Sequence, residues 1–190
     1  AYTAKGAGTI TFSTDEAITV SGSATVAQFN YLAGLNDGVI TATISEGDMA
    51  TLDGITESGN ALAITVTDTT VSAAELNSLD SKTTIDLTVT SSTITGTAAD
   101  LIAAYTATGS INGLGNEAVT LSDTSIDAEV LITLDALTSG TIDASSITTL
   151  TGSDDDQATA RASSGITGLP GEITGLSLIH ISEPTRLAII

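Results

Sequence analysis

The chain has no cysteine, no tryptophan, one histidine, two prolines and only 4 lysines and arginines in 190 residues. Each shortage excludes something. Without cysteine there is no disulfide, no thiol nucleophile and no thiolate metal site. The single histidine is His180, so residues 1–175 hold no Ser–His–Asp or Cys–His set and no zinc site of the His/Cys type. Four cations against 23 Asp and Glu leave a formal net charge of −19. That excludes a phosphate-gripping nucleic-acid surface and adhesion to anionic lipid. No apolar run reaches the length of about 18 residues needed to cross a bilayer as a helix, so no membrane insertion is expected. No GxxxxGK[ST] loop is present to cradle phosphate. Aromatics are 3% of the chain, so any core lacks large anchors.

Aliphatic residues fill the gap. The sequence is 41% hydrophobic, mainly Ile, Leu, Val and Ala set in a Thr-, Ser- and Gly-rich background. An acidic disordered chain lacks that aliphatic content. Small aliphatics suit many thin layers better than one thick globular interior.

The aliphatic pattern repeats. Residues 63–117 align with residues 118–172 at an offset of 55: Asp68 with Asp123, Leu76 with Leu131, Leu79 with Leu134, Asp80 with Asp135, Gly113 with Gly168, Leu114 with Leu169, and Glu117 with Glu172. A shorter step lies inside this one. Strand-like starts fall near 18, 40, 64, 87, 119 and 142, separated by 22, 24, 23, 32 and 23 residues. That is the length of one solenoid coil.

Each coil has the same grammar. First comes an alternating β-branched segment such as Ile64-Thr65-Val66-Thr67, with period 2. A helix-start signal follows, Ser or Thr with an acid three residues on: Ser45/Asp48, Ser72/Glu75, Thr97/Asp100 and Ser153/Asp156. Short helical stretches come next: AAELNSLD, TAADLIAAYTA and DAEVLITLDAL. The fold class this predicts is α/β, a repetitive β/α solenoid of parallel short strands and short helices with right-handed crossovers. The alternative is a tandem of all-β sandwiches, which needs about 100 residues and seven strands per unit. The expected organisation is the end of a preceding repeat at 1–16, repeats at 17–62, 63–117 and 118–172 within a solenoid over 17–175, and a foreign tail at 176–190. Ile64, Val66, Val71, Leu76 and Leu79 should be interior, as should Val119, Leu121, Ile126, Leu131 and Leu134.

Two groups of residues are candidates for binding. Asp154, Asp155 and Asp156 form the densest acidic run, and Ca²⁺ takes six to eight hard oxygens. A calcium ion held here would bind weakly, through adjacent coils, and the bland reading is a helix N-terminal turn. Thr41, Thr43, Thr65, Thr67, Thr88 and Thr90 occupy outward positions of TxT strands. Stacked, they would form a flat ladder for ice or surface glycan; the bland reading is that Thr is a good former of exposed strand faces. The acids recur with the repeat, which fits structure better than a carboxylate pair of glycosidase type. No cofactor and no catalytic residue is expected.

The strings GLGNEAVTLSDTSI, LDALTSGTIDASSITTLTG and SAAELNSLD resemble repeats of giant secreted and cell-surface proteins of marine bacteria, cyanobacteria among them. The resemblance covers about residues 17–175. It implies a repetitive, non-catalytic, adhesin-like protein displayed outside the cell, with glycan or neighbouring repeats as partners. The calcium-binding GGxGxD nonapeptides of such proteins do not occur here. LSLIHISEPTR, residues 176–186, resembles a translated transposase adapter from library preparation. With no initiator Met and no apolar leader over 1–8, the expectation is an environmental fragment of a longer gene. Like charges crowded along a thin fold repel. The melting temperature should therefore rise with added NaCl and with CaCl₂; indifference to both would show that neither repulsion nor calcium matters.

Overall fold

The computed structural model describes residues 15–171. In chain order the elements are β1 (Ile18–Ala24), α1 (Val26–Ala33), β2 (Ile40–Ile44), α2 (Met49–Leu52), β3 (Ala61–Ala63), β4 (Thr65–Val66), β5 (Thr70–Ser72), α3 (Ala73–Asp80), β6 (Leu87–Val89) and β7 (Thr93–Gly96). They continue with α4 (Ala98–Thr106), β8 (Ile111–Asn112), β9 (Ala118–Leu121), β10 (Ser125–Asp127), α5 (Ala128–Asp135), β11 (Ile142–Asp143), β12 (Thr149–Thr151), α6 (Asp154–Ala162) and β13 (Ile166–Thr167). The protein is mixed α/β, with its strands in four sheets ordered β1-β2-β3, β4-β6-β8, β5-β7-β9-β11-β13 and β10-β12. Every strand pairing among the described residues is parallel. That, with six helices, does not fit antiparallel sandwiches.

The strands are too short to be stable by themselves, and each finds its partner about one short segment further along the chain. Thr70 faces Thr93, Thr93 faces Ala118, Val119 faces Ile142, and Ile142 faces Ile166. Alternation then sorts the side chains. Val71, Ile94, Val119, Ile142 and Ile166 form one buried column across five strands. The helices pack along the same core, α3 on α4, α4 on α5 and α5 on α6. All ten residues expected in the interior are buried, Leu76, Leu131 and Leu134 completely.

The 32-residue step in the sequence has a structural cause. Most segments hold two or three strands separated by a bend, where the sequence suggested one. Leu87 of β6 pairs with Ile111 of β8, and Val119 of β9 pairs with Ile94 of β7. Residues 87 and 119 are therefore not successive neighbours. The bend before β9 contains Gly113 at φ +93°, where a Cβ would lie 2.2 Å from the Val89 carbonyl oxygen. Only glycine fits this close approach. A further consequence concerns the 55-residue repeat. Strands β4, β6 and β8 share one sheet, but the strands at equivalent positions, β9, β11 and β13, belong to the sheet next along the chain. Likewise β5 and β7 correspond to β10 and β12 of a different sheet. Equivalent strand residues such as Val66 and Leu121, or Leu87 and Ile142, keep their burial but move one sheet over.

Helix starts follow capping chemistry. Thr97 accepts from the Asp100 amide at 3.2 Å, Ser153 accepts from the Asp156 amide at 3.1 Å, and Glu75 accepts from the Ser72 amide at 3.4 Å. Ser45 is not a cap. Its hydroxyl donates to Glu46, and Asp48 caps α2 by accepting from the Thr51 amide at 2.9 Å. Thr25 with Gln28 forms a full capping box on α1, with Gln in the place that an acid takes in the other signals. The expected repeat end at 1–16 falls almost wholly outside the described residues, and the adapter-like tail at 176–190 falls wholly outside them.

Leu76→Ala and Leu131→Ala should each cost about 2–5 kcal/mol of unfolding free energy. Val130→Ala, on the exposed face of α5, should change it by no more than about 0.5 kcal/mol. Urea denaturation followed by circular dichroism measures both.

Candidate functional site

All six candidate threonines are solvent-exposed. They do not form one ladder. Thr41 stands between Thr19 and Ala61, and Thr43 between Ser23 and Ala63. Thr65 pairs with Thr88 in a separate sheet, and Thr88 then faces Asn112. The structure thus brings Thr65 beside Thr88, and sets Thr41 and Thr43 apart from them. The column breaks because β3 offers alanines at the positions where further threonines would continue it.

Hydroxyls elsewhere show what Thr and Ser do in this fold. The Thr90 hydroxyl donates to the Val66 carbonyl at 2.9 Å, 24 residues back. Thr148 donates to Thr124 at 3.0 Å, Thr167 to Ile142 at 3.1 Å and Ser92 to Thr69 at 3.2 Å. Ser146 reaches both Leu121 and Asp123 carbonyls at 2.8 Å. These bonds run to the neighbouring segment, parallel to the strand ladder. They give the carbonyls at bends an extra donor. The sequence signal was the recurrence of a hydroxyl residue in successive segments, which composition alone reads as β-propensity.

The recurrent acids serve the same cross-segment purpose. Asp68 accepts from the Met49 amide at the start of α2, at 2.6 Å and 19 residues back. Asp123, its partner at offset 55, accepts from the Ala98 amide at the start of α4, at 2.7 Å and 25 residues back. Glu46 accepts from the Val26 amide at the start of α1, at 3.2 Å. Each places negative charge at a positive helix end and occupies an amide that has no partner within its helix. Asp80 and Asp135, also 55 apart, accept hydroxyl protons from Ser110 at 3.0 Å and Ser163 at 2.7 Å.

Glu117 is the one buried carboxylate among the described residues. One of its oxygens accepts from the Gly115 amide at 2.9 Å, the Asn116 amide at 3.3 Å and the Tyr105 hydroxyl at 3.3 Å. Burial, and then the negative charge of Glu117, push the Tyr105 phenol well above its ordinary range. The pair ties α4 to the bend ahead of β9.

Asp154, Asp155 and Asp156 occupy the first turn of α6 behind the N-cap Ser153, and Asp156 is held by the Ser153 hydroxyl. Among the described residues no three His, Cys, Asp or Glu converge to hold a metal ion. No helix there is long and apolar enough to cross a membrane. No protein-family model, curated protein or solved structure matches the chain.

Asp123→Ala and Asp68→Ala should each cost about 0.5–2 kcal/mol, the range of a lost helix cap, in urea titrations. The carboxyls of Asp48 and Asp143 add a pH dependence. The Thr51 side chain and amide hold Asp48 below its ordinary value, and the Ser145 side chain and amide do the same for Asp143. A lowered folded-state pKa stabilises the protein above the unfolded value and loses that effect as pH falls through the folded one. The double variant Asp48→Asn/Asp143→Asn should therefore show a shallower loss of melting temperature below about pH 4 than the parent. An unchanged slope would show that these contacts do not persist in solution.

Proposed function

We propose that residues 17–175 form a β/α solenoid, and that this solenoid is a non-catalytic structural or adhesive module of a large secreted or cell-surface bacterial protein. Its work is that of a stiff, acidic spacer holding other domains away from the cell. The observation carrying this reading is the reach of the bonding. Strand pairs, hydroxyls and capping carboxylates all connect a residue to one about a segment away, with separations such as 19, 24 and 25 residues. A segment bonded in this way is stabilised by its neighbours, and the pattern extends by adding copies. The charge of −19 keeps such copies apart from one another and from anionic surfaces.

Length is the test. Polypeptides carrying one, two and three tandem copies of residues 63–172 should grow linearly in maximum dimension by X-ray scattering. Each 55-residue unit holds two segments, so it should add about 10 Å, from a strand spacing of about 4.8 Å. Growth as the cube root of mass would show globular packing and end the reading.

A second reading is ice or glycan contact through the threonines. Thr41, Thr43, Thr65, Thr67 and Thr88 are exposed, and their hydroxyls have no partner among the described residues, which favours contact with a ligand. It predicts thermal hysteresis or a glycan-array signal that disappears in Thr65→Val/Thr67→Val/Thr88→Val/Thr90→Val; an inactive parent protein ends it.

A further inference from the structure

Where most features recur, a departure stands out. Five large apolar side chains among the described residues are well exposed, and three of them fall within nine residues of chain: Tyr31 at 73%, Leu35 at 57% and Val39 at 50%. They follow one another from the last turn of α1 to the start of β2. Tyr31 lies in the last turn of α1, and Leu35 lies in the turn just beyond the C-cap Gly34. The equivalent junctions later in the chain expose less apolar surface, with Ile85 at 40% the one large exposed apolar residue between α3 and β6. After α3, the Lys82 ammonium donates to the Ile55 carbonyl at 3.1 Å. After α4 and α5, Ala107 and Leu137 pack against the core.

A cleft adjoins this patch, with one wall from residues 33–34 and 36–39 and the other from residues 57–60. Asp37 and Glu57 line it, and none of its lining residues is cationic. Its walls are pre-formed. Asn60 is buried and accepts from the Ile40 amide at 2.8 Å; Asn36 is buried and donates to the Gly38 carbonyl at 2.9 Å. A Cβ on Gly38 would lie 2.3 Å from the Glu16 carbonyl oxygen, so the chain preceding β1 is packed tightly against the same wall.

We propose that this corner docks a partner polypeptide segment carrying both basic and apolar side chains. An ammonium or guanidinium enters the cleft between Asp37 and Glu57, and the apolar side chains cover Tyr31, Leu35 and Val39. Charge complementarity selects this occupant. The two cations of the described residues are committed elsewhere, Lys82 to Ile55 and Arg161 to the Pro170 carbonyl. A second copy would bring its own acids, at a net charge of −19 each, against the same acids. A neutral glycan would leave both carboxylates without a counter-charge. Exposed apolar area rimmed by charge is the usual form of a protein-docking surface. The inference does not depend on the spacer reading.

The test is fluorescence anisotropy on the full chain with two fluorescein-labelled peptides, one alternating Leu and Lys and one alternating Leu and Glu. The Leu/Lys peptide should bind saturably and the Leu/Glu peptide should not. Asp37→Asn/Glu57→Gln should weaken binding about tenfold, and so should Tyr31→Ser/Leu35→Ser, a change of about 1.4 kcal/mol each. Asp154→Asn/Asp155→Asn/Asp156→Asn removes more charge but lies on α6, and it should leave affinity within about twofold. Circular dichroism of all variants should match the parent. Equal weakening by the α6 variant would reduce the effect to diffuse attraction by an acidic protein and overturn the proposal. Insensitivity to Tyr31→Ser/Leu35→Ser, absence of saturation, or dimerisation through this face in sedimentation would also overturn it.

Discussion

A strand of two to four residues has almost no stability alone, and most strands here are that short. Each backbone amide and carbonyl it leaves open must be satisfied, because burying either without a partner costs roughly as much as a lost hydrogen bond. In this protein the partner is supplied by the chain about one segment further on, always in parallel. The ordering entropy of one segment, about 1–2 kcal/mol per residue for the backbone, is offset only when its neighbour is already in place. Burial obeys the same rule. The side chains of Val71, Ile94, Val119, Ile142 and Ile166 are covered by one another across strands, so no single segment owns an interior.

The polar chemistry follows from that constraint. At each bend the strand ladder lapses, and backbone groups are left over. Hydroxyls such as those of Thr90 and Thr167 give carbonyls near the bends an extra donor, and carboxylates such as Asp68 and Asp123 accept from helix amides that have no partner within their helix. The unusual composition thus has a mechanical reason. Ser and Thr supply a short donor, and Asp supplies a short acceptor that also suits the positive helix end.

Much of this was legible in the sequence because it depends on local pattern. The alternation of Ile64 and Val66, the spacing of Leu76 and Leu79, and the Ser72/Glu75 cap each declare themselves within a few residues, and the α/β class follows from them. What was not legible depends on pairing at a distance. Nothing local in Leu87 and Val119 reveals that they join different sheets, so the 32-residue interval looked like one long step. The alanines of β3 that interrupt the threonine column are ordinary residues in any local window. The capping role of Asp68 and Asp123 is invisible in any local window because the amides they hold lie 19 and 25 residues away. No local pattern marks the exposure of Tyr31, Leu35 and Val39, since exposure is set by what fails to pack there.

The displacement of equivalent strands by one sheet has a consequence for how such a chain evolves. In the proposed solenoid each 55-residue unit supplies two segments, yet its strands enter the ladder one sheet further on. Duplicating a unit would then lengthen the stack and also turn the direction in which each side chain emerges. A motif copied with the unit would be spread around the circumference and would not accumulate into a stripe. Copy number would then set the direction in which the final strands point, so that a gain or loss of one unit re-aims whatever is attached beyond them.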